Sequence, residues 1–140
     1  MRILLDSDVV LDFMLERKPF VEAAGELFEL IAEGACDGYI SGITPVNVFY
    51  LMRKAKGANK ARQAISDLLM VFQVCAVTHN VLEDAFALPF ADYEDAVQHA
   101  SAAAIGLDAI VTRNLSDYKN ATLPVYSPTD FMNRLKAEQP

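Results

Sequence analysis

At 140 residues with 53% hydrophobic side chains, the chain can bury a sizeable core and reads as one domain over residues 1–140. Its formal charge of −7 argues against a protein that binds nucleic acid by bulk basicity. Apolar runs such as LLMVF at 68–72 fall far short of the roughly 20 residues needed to span a bilayer, and acids follow the first apolar run too soon for a signal peptide.

The chain opens on RILLDSDVV, whose apolar stretch over 2–6 reads as a buried strand ending on Asp6, with Asp8 two residues on. A helix over 8–16 follows. In the next helix, over 20–33, Phe20, Ala23, Ala24, Leu27, Leu30 and Ile31 recur at helical spacing with glutamates between them, and Gly34 can close it. A strand over 37–41, helices over 45–56 and 59–70, and a strand over 72–76 come next. TPVN at 44–47 offers a threonine cap before a proline, and SPTD at 127–130 offers the same start with serine. Helices over 79–87 and 93–106, strands over 108–112 and 124–126, and a helix over 128–137 complete the order. Short apolar strands separated by helices predict an α/β fold in three layers, with a small, mainly parallel sheet covered on both faces. Cys36 and Cys75 fall near strands and read as buried thiols of a reducing cytosol, although sequence leaves a disulfide open.

In open parallel sheets, ligands gather where the carboxyl ends of strands meet the following helices. The polar residues at those places are Asp6 and Asp8 after the first strand, then Ser41, Thr44 and Asn47 after the second, then Thr112, Asn114 and Asp117 after the fourth. Asp92, Glu94 and Asp95 open the 93–106 helix. Each has a plain structural reading. Asp8 suits a helix cap, the acids at 92–95 suit the positive end of a helix dipole, and Asp117 suits a turn. Asp6 is harder to assign that way, because it follows an apolar run and lies near buried surface. If Asp6, Asp95 and Asp117 converge, their repulsion raises their pKa values unless a cation compensates, and oxygen donors favour Mg²⁺ or Mn²⁺. His99 lies one helical turn beyond Asp95 and is either a further member of such a site or an ordinary helix residue. Neither it nor His79 has zinc-ligand spacing with the cysteines.

ILLDSDVVLD, YISGITPVNVFYLMRKA and FADYEDAVQHASAAAIGLDAIVTRNLSDY, in that order, resemble the successive motifs of PIN-domain proteins, the metal-dependent nucleases related to VapC-type toxins. The resemblance covers nearly the whole chain. It implies a PIN-like fold that cleaves RNA phosphodiester bonds with a metal-activated water, often as a homodimer and in many members paired with an antitoxin protein. It assigns Asp6, Asp95 and Asp117 as metal ligands and catalytic acids, with Glu94 assisting and Thr112 and Asn114 supporting the last loop. Two positions depart from the family pattern. Asn47 stands where a glutamate is common, which removes a charge, and Asp8 stands where asparagine is common, which adds one nearby.

A basic run completes the picture. Arg53, Lys54, Lys56, Lys60 and Arg62 make up five of the chain's 12 Lys and Arg, with no acid between Tyr50 and Ser66. They suit contacts to RNA phosphates, or equally a solvated helix pair. Two other readings stand beside the ribonuclease. DSDVV also fits the Asp-x-Asp start of a haloacid-dehalogenase-like phosphatase, in which Asp6 would be a nucleophile and Asp8 an acid/base. Asn47 also suits a PIN-like binding module with weak or no cleavage.

Overall fold

The computed structural model describes residues 1–138. Among them, β1 (Arg2–Leu5), β2 (Asp37–Ser41), β3 (Gln73–Cys75), β4 (Ala109–Val111) and β5 (Val125–Tyr126) form one sheet in the order β3-β2-β1-β4-β5. Every pairing is parallel. The helices are α1 (Ser7–Met14), α2 (Val21–Ala32), α3 (Thr44–Lys56), α4 (Ala58–Val71), α5 (His79–Ala87), α6 (Tyr93–Ala104) and α7 (Pro128–Ala137). A single 3₁₀ turn at Leu115–Tyr118, inside the loop after β4, has no counterpart in the sequence reading.

Alternation along β1 sorts the two layers of helices. Ile3 and Leu5 point into a core built with Val9, Leu27, Val48, Leu68 and Phe131, from α1, α2, α3, α4 and α7. Leu4 points the other way, against Ala102 of α6, Leu107 and Tyr118. Helix α5 packs outside α6 through Val81 and Ala85 against Ala96, Val97 and Ala100. Both faces of the central strands are therefore covered, which explains why Ile3–Leu5 of β1 and Ala109–Val111 of β4 are apolar and buried at every position rather than alternating. A side chain at Gly38 of β2 would put its Cβ 2.7 Å from Ile31 and 2.9 Å from Phe72, so only glycine lets α2 and the end of α4 close over that strand. Gly57, at φ 93°, makes the turn that folds α3 back onto α4.

Several local expectations hold. Ser127 caps α7 by accepting from the N–H of Asp130, and Gly34 follows α2 at φ 82°. Thr44 does not act as a cap. Helix α3 starts one residue earlier, from Ile43, and the threonine hydroxyl is buried without a partner. Cys36 and Cys75 are both buried free thiols, and burial raises the pKa of each. Among the described residues, no helix is long and apolar enough to cross a membrane.

Candidate active site

The chain runs outward from β1 to β2 and β3, then returns to the other side of β1 for β4 and β5. The reversal opens a crevice beyond the carboxyl ends of β1 and β4, where ligands of such sheets bind. Asp6 sits there. Its N–H still donates to the Val111 carbonyl at 2.9 Å, and α1 begins at the next residue, so Asp6 is both the end of a strand and the cap of a helix. The cap is thus Asp6, whose Oδ1 accepts from the N–H of Asp8 at 3.4 Å, and not Asp8.

Asp6 is 3% exposed, so its oxygens depend on protein donors. The Thr112 hydroxyl donates to Oδ2 at 2.8 Å, and the Gln98 amide Nε2 donates to Oδ1 at 3.0 Å. Gln98 also accepts from the N–H of Ser7 at 2.9 Å, so one buried amide ties α6 to the start of α1. The Ser7 hydroxyl donates to Glu94 at 2.7 Å. From Gln98 the network continues to the Tyr118 hydroxyl at 3.4 Å, which itself donates to Asp95 at 3.4 Å.

Asp95, half-buried in the first turn of α6, is pushed up to about 7 by burial and then by the charges of Asp6, Asp92, Asp117 and Glu94. Asp92 is the N-cap of α6, accepting from the N–H of Asp95 at 3.0 Å. Asp117 lies on the exposed 3₁₀ turn, close enough for its charge to act on Asp95. Asp8 is likewise pushed up to about 7, by burial and then by Asp6, with Arg113 opposing. Its Oδ2 accepts from Asn114 at 2.6 Å, while its Oδ1 is buried without a partner. Asn47 is half-buried on the wall of a cavity of about 490 Å³ that is also lined by Ser7, Asp8, Arg17, Tyr50 and Glu94.

The acids flagged in the sequence thus feel one another's charge at one edge of the sheet. Among the described residues, however, no three His, Cys, Asp or Glu side chains stand in a metal-ligating arrangement. The donor chemistry nevertheless suits a hard divalent cation. Every group is an oxygen donor, one buried carboxylate oxygen has no partner, and Asp8 and Asp95 are pushed up by burial first and then by neighbouring acids.

Other sequence candidates fall elsewhere. His99 is buried, and its Nε2 accepts from the N–H groups of Thr122 at 3.0 Å and Leu123 at 3.4 Å. It orders the loop before β5 and stays out of the carboxylate network. In the basic run, Arg53, Lys54, Lys60 and Arg62 are exposed, whereas Lys56 is half-buried and pairs with Glu16 at 3.6 Å. The Arg53 guanidinium lies 5.2 Å from the Tyr50 ring centroid. The sequence reading missed Gln98, Ser7, Tyr118 and the buried pair of Asp12 with Arg113. The signal for Gln98 was an amide three residues after Asp95, on the alanine-rich face of α6.

The fold is thus a parallel α/β sheet with carboxylates gathered at its switch point. Residues 2–116 match the family described as PIN domain, and the chain belongs to that family. Among solved structures it is similar to VapBC2 from Rickettsia felis, bound to a DNA fragment from their promoter. The identity there is 15% and the TM-score 0.71, over 89% of this chain and 97% of that one. DNA-bound VapBC from Salmonella typhimurium is similar at 18% identity and TM-score 0.71, over 91% and 98% of the two chains. VapC20 from Mycobacterium tuberculosis, a sarcin-ricin loop cleaving toxin, is similar at 17% identity and TM-score 0.62, over 77% and 86%. At these identities the likeness is one of fold. No curated protein matches the chain by sequence.

Proposed function

We propose that the protein is a ribonuclease of the PIN type that depends on Mg²⁺ or Mn²⁺. The observation that carries this reading is the network in which Asp6, at the switch point, shares Gln98, Ser7 and Tyr118 with Asp95 and Glu94. Asp6, Asp95 and Asp117 would hold the cation, with Glu94 and Asn47 assisting from the cavity wall. When bound, such an ion lowers the pKa of a water and offsets charge developing on a phosphoryl oxygen. Thr112 and Gln98 keep Asp6 oriented, and Asn114 does the same for Asp8. The exposed Arg53, Lys54, Lys60 and Arg62 would meet phosphates of the RNA, and Lys56 contributes less because Glu16 engages it. Membership of the PIN family weighs against the dehalogenase-like phosphatase. A solved structure to which the chain is similar is a toxin–antitoxin complex from Klebsiella pneumoniae, which supports an antitoxin protein as partner, and a homodimer and a cytoplasmic setting go with this reading.

A second reading, a binding module with little cleavage, is favoured by Asn47, which brings an uncharged amide to the cavity wall shared with Asp8 and Glu94. One experiment separates the two. Purified protein is incubated with single-stranded RNA in Mn²⁺ and in chelator, beside Asp6→Asn. Cleavage that needs metal and is lost in the variant supports the nuclease. RNA binding without cleavage in any metal supports the module.

A further inference from the structure

Asp12 is 2% exposed, and a carboxylate so deep needs a partner. It has Arg113, whose Nε donates at 2.7 Å and whose second nitrogen reaches the other oxygen at 3.4 Å. Arg17 adds a longer contact at 3.7 Å. The position of Arg113 in the chain is what gives the pair a consequence. Its two neighbours are Thr112, which donates to Asp6, and Asn114, which donates to Asp8. Asp8 and Asp12 lie four residues apart on one face of α1. The segment after β4 is therefore joined to the start of α1 at three adjacent points, with the ion pair as the third.

The segment behaves as one unit. The N–H of Thr112 donates to Tyr126 of β5 at 2.9 Å, and the N–H of Asn114 donates back to the Thr112 hydroxyl at 3.1 Å. Close packing does not hold Arg113. A cavity of about 240 Å³, lined by Val9, Phe20, Ser127 and Pro128 among others, lies beside it and leaves room for the guanidinium to shift. Two contacts fix it instead: the fork on Asp12, and the Phe20 ring, whose centroid is 4.2 Å from the guanidinium carbon.

We propose that Arg113 is a positioning residue: its ion pair with Asp12 registers the 112–114 segment on α1, so that Thr112 and Asn114 reach Asp6 and Asp8 together. The proposal rests on the reading of those carboxylates as the functional site, and it extends that reading to two residues that touch neither substrate nor cation. It requires the planar fork as well as the charge. Lysine would keep Asp12 paired through one compact ammonium and lose the register.

The test uses the full chain carrying Arg113→Lys. In metal-free protein, nitrogen-resolved NMR reads the Asn114 side-chain amide, which the bond to Asp8 shifts and protects. In the variant those signals should move towards free-amide positions. Calorimetric titration with Mn²⁺, well below the melting temperature, should show affinity lowered about tenfold, the lower end of what loss of an orienting partner costs. A purely structural residue would lower the melting temperature and leave the affinity of the folded protein unchanged. Unmoved Asn114 signals overturn the proposal, and so does wild-type Mn²⁺ affinity in the variant. Wild-type protein that binds no Mn²⁺ overturns the metal reading instead, and the NMR comparison then decides the role of Arg113. If Arg113→Lys fails to fold, Asp12→Asn with Arg113→Gln leaves no buried charge unpaired and gives the same two readouts.

Discussion

Thr112 donates to Asp6 at 2.8 Å across the two strand ends that flank the switch point, and both residues are almost wholly buried. This bond joins the first residue after β4 to the first residue after β1. Its removal leaves a buried charged acceptor short of a donor. Thr112→Val, which keeps the shape and removes the hydroxyl, should cost about 2 kcal/mol. Thr112→Ser should recover most of that. Urea unfolding of the three proteins measures both, and equal midpoints would show that the hydroxyl contributes nothing.

How far the site could be read from sequence depends on what kind of information each residue carries. Asp6 stood out because an acid closing an apolar run is unusual, and Thr112 because it lies where another apolar strand ends; that the two strands are neighbours is seen only in the fold. The fold was legible for the same reason, since short apolar strands with helices between them leave few ways to cover both faces of a sheet. Gln98 and the Asp12–Arg113 pair were not legible. Periodicity says that a residue faces inward, but the partner that makes a buried amide or carboxylate tolerable comes from an element some 90 to 100 residues away. Thr44 shows the converse error. Its local pattern suits a cap, yet the helix starts from Ile43 and the threonine falls inside the first turn.

Stability should respond to pH through His99. Burial lowers its pKa from the ordinary 6.5, and its Nε2 already accepts two backbone N–H groups. As pH falls below about 6.5 the unfolded chain takes up a proton that folded His99 refuses, so its contribution is intact above that pH and lost as pH falls through the folded value. Asp8 and Asp95, whose pKa values are raised, act in the opposite sense over part of the same range. The wild-type curve alone therefore mixes the signs. Comparison with His99→Gln, which keeps an acceptor and does not titrate, isolates the histidine. Between pH 7.5 and 5 the wild type should lose more stability than the variant. Parallel curves in urea unfolding would exclude the histidine.

The exposed cations of α3 and α4 should set the salt dependence of RNA binding. Each phosphate contact to a single strand contributes about 0.7 to the slope of log affinity against log salt. Changing Arg53, Lys54, Lys60 and Arg62 together to glutamine should flatten that slope by up to about 3, with stability and Mn²⁺ response unchanged. Lys56 stays in place, because Glu16 already engages it. Binding measured in chelator at several salt concentrations provides the slope. An unaltered slope would reduce the basic run to a solvated helix hairpin.

Asn47 provides the most direct test of the cavity wall. It shares that wall with Asp8 and Glu94, and it brings an amide where a third carboxylate would complete the acidic lining. Asn47→Glu adds a negative charge to a region where Asp8 is already pushed up to about 7 by burial and by Asp6. Without metal the added repulsion has nothing to offset it, so the variant should be less stable than wild type in chelator. With a divalent cation bound, attraction to a doubly charged ion outweighs repulsion between single charges at similar distances. Mn²⁺ should then bind more tightly to the variant, and its melting temperature should rise more steeply with added metal. RNA cleavage at limiting Mn²⁺ should increase in step. Calorimetric titration of both proteins, with thermal melts in chelator and in Mn²⁺, reads every sign. If the variant matches wild type in both conditions, Asn47 lies on the wall but outside the site. If metal binds more tightly and RNA still stays intact, the chain is a binding module, and the missing glutamate is not what keeps it from cutting.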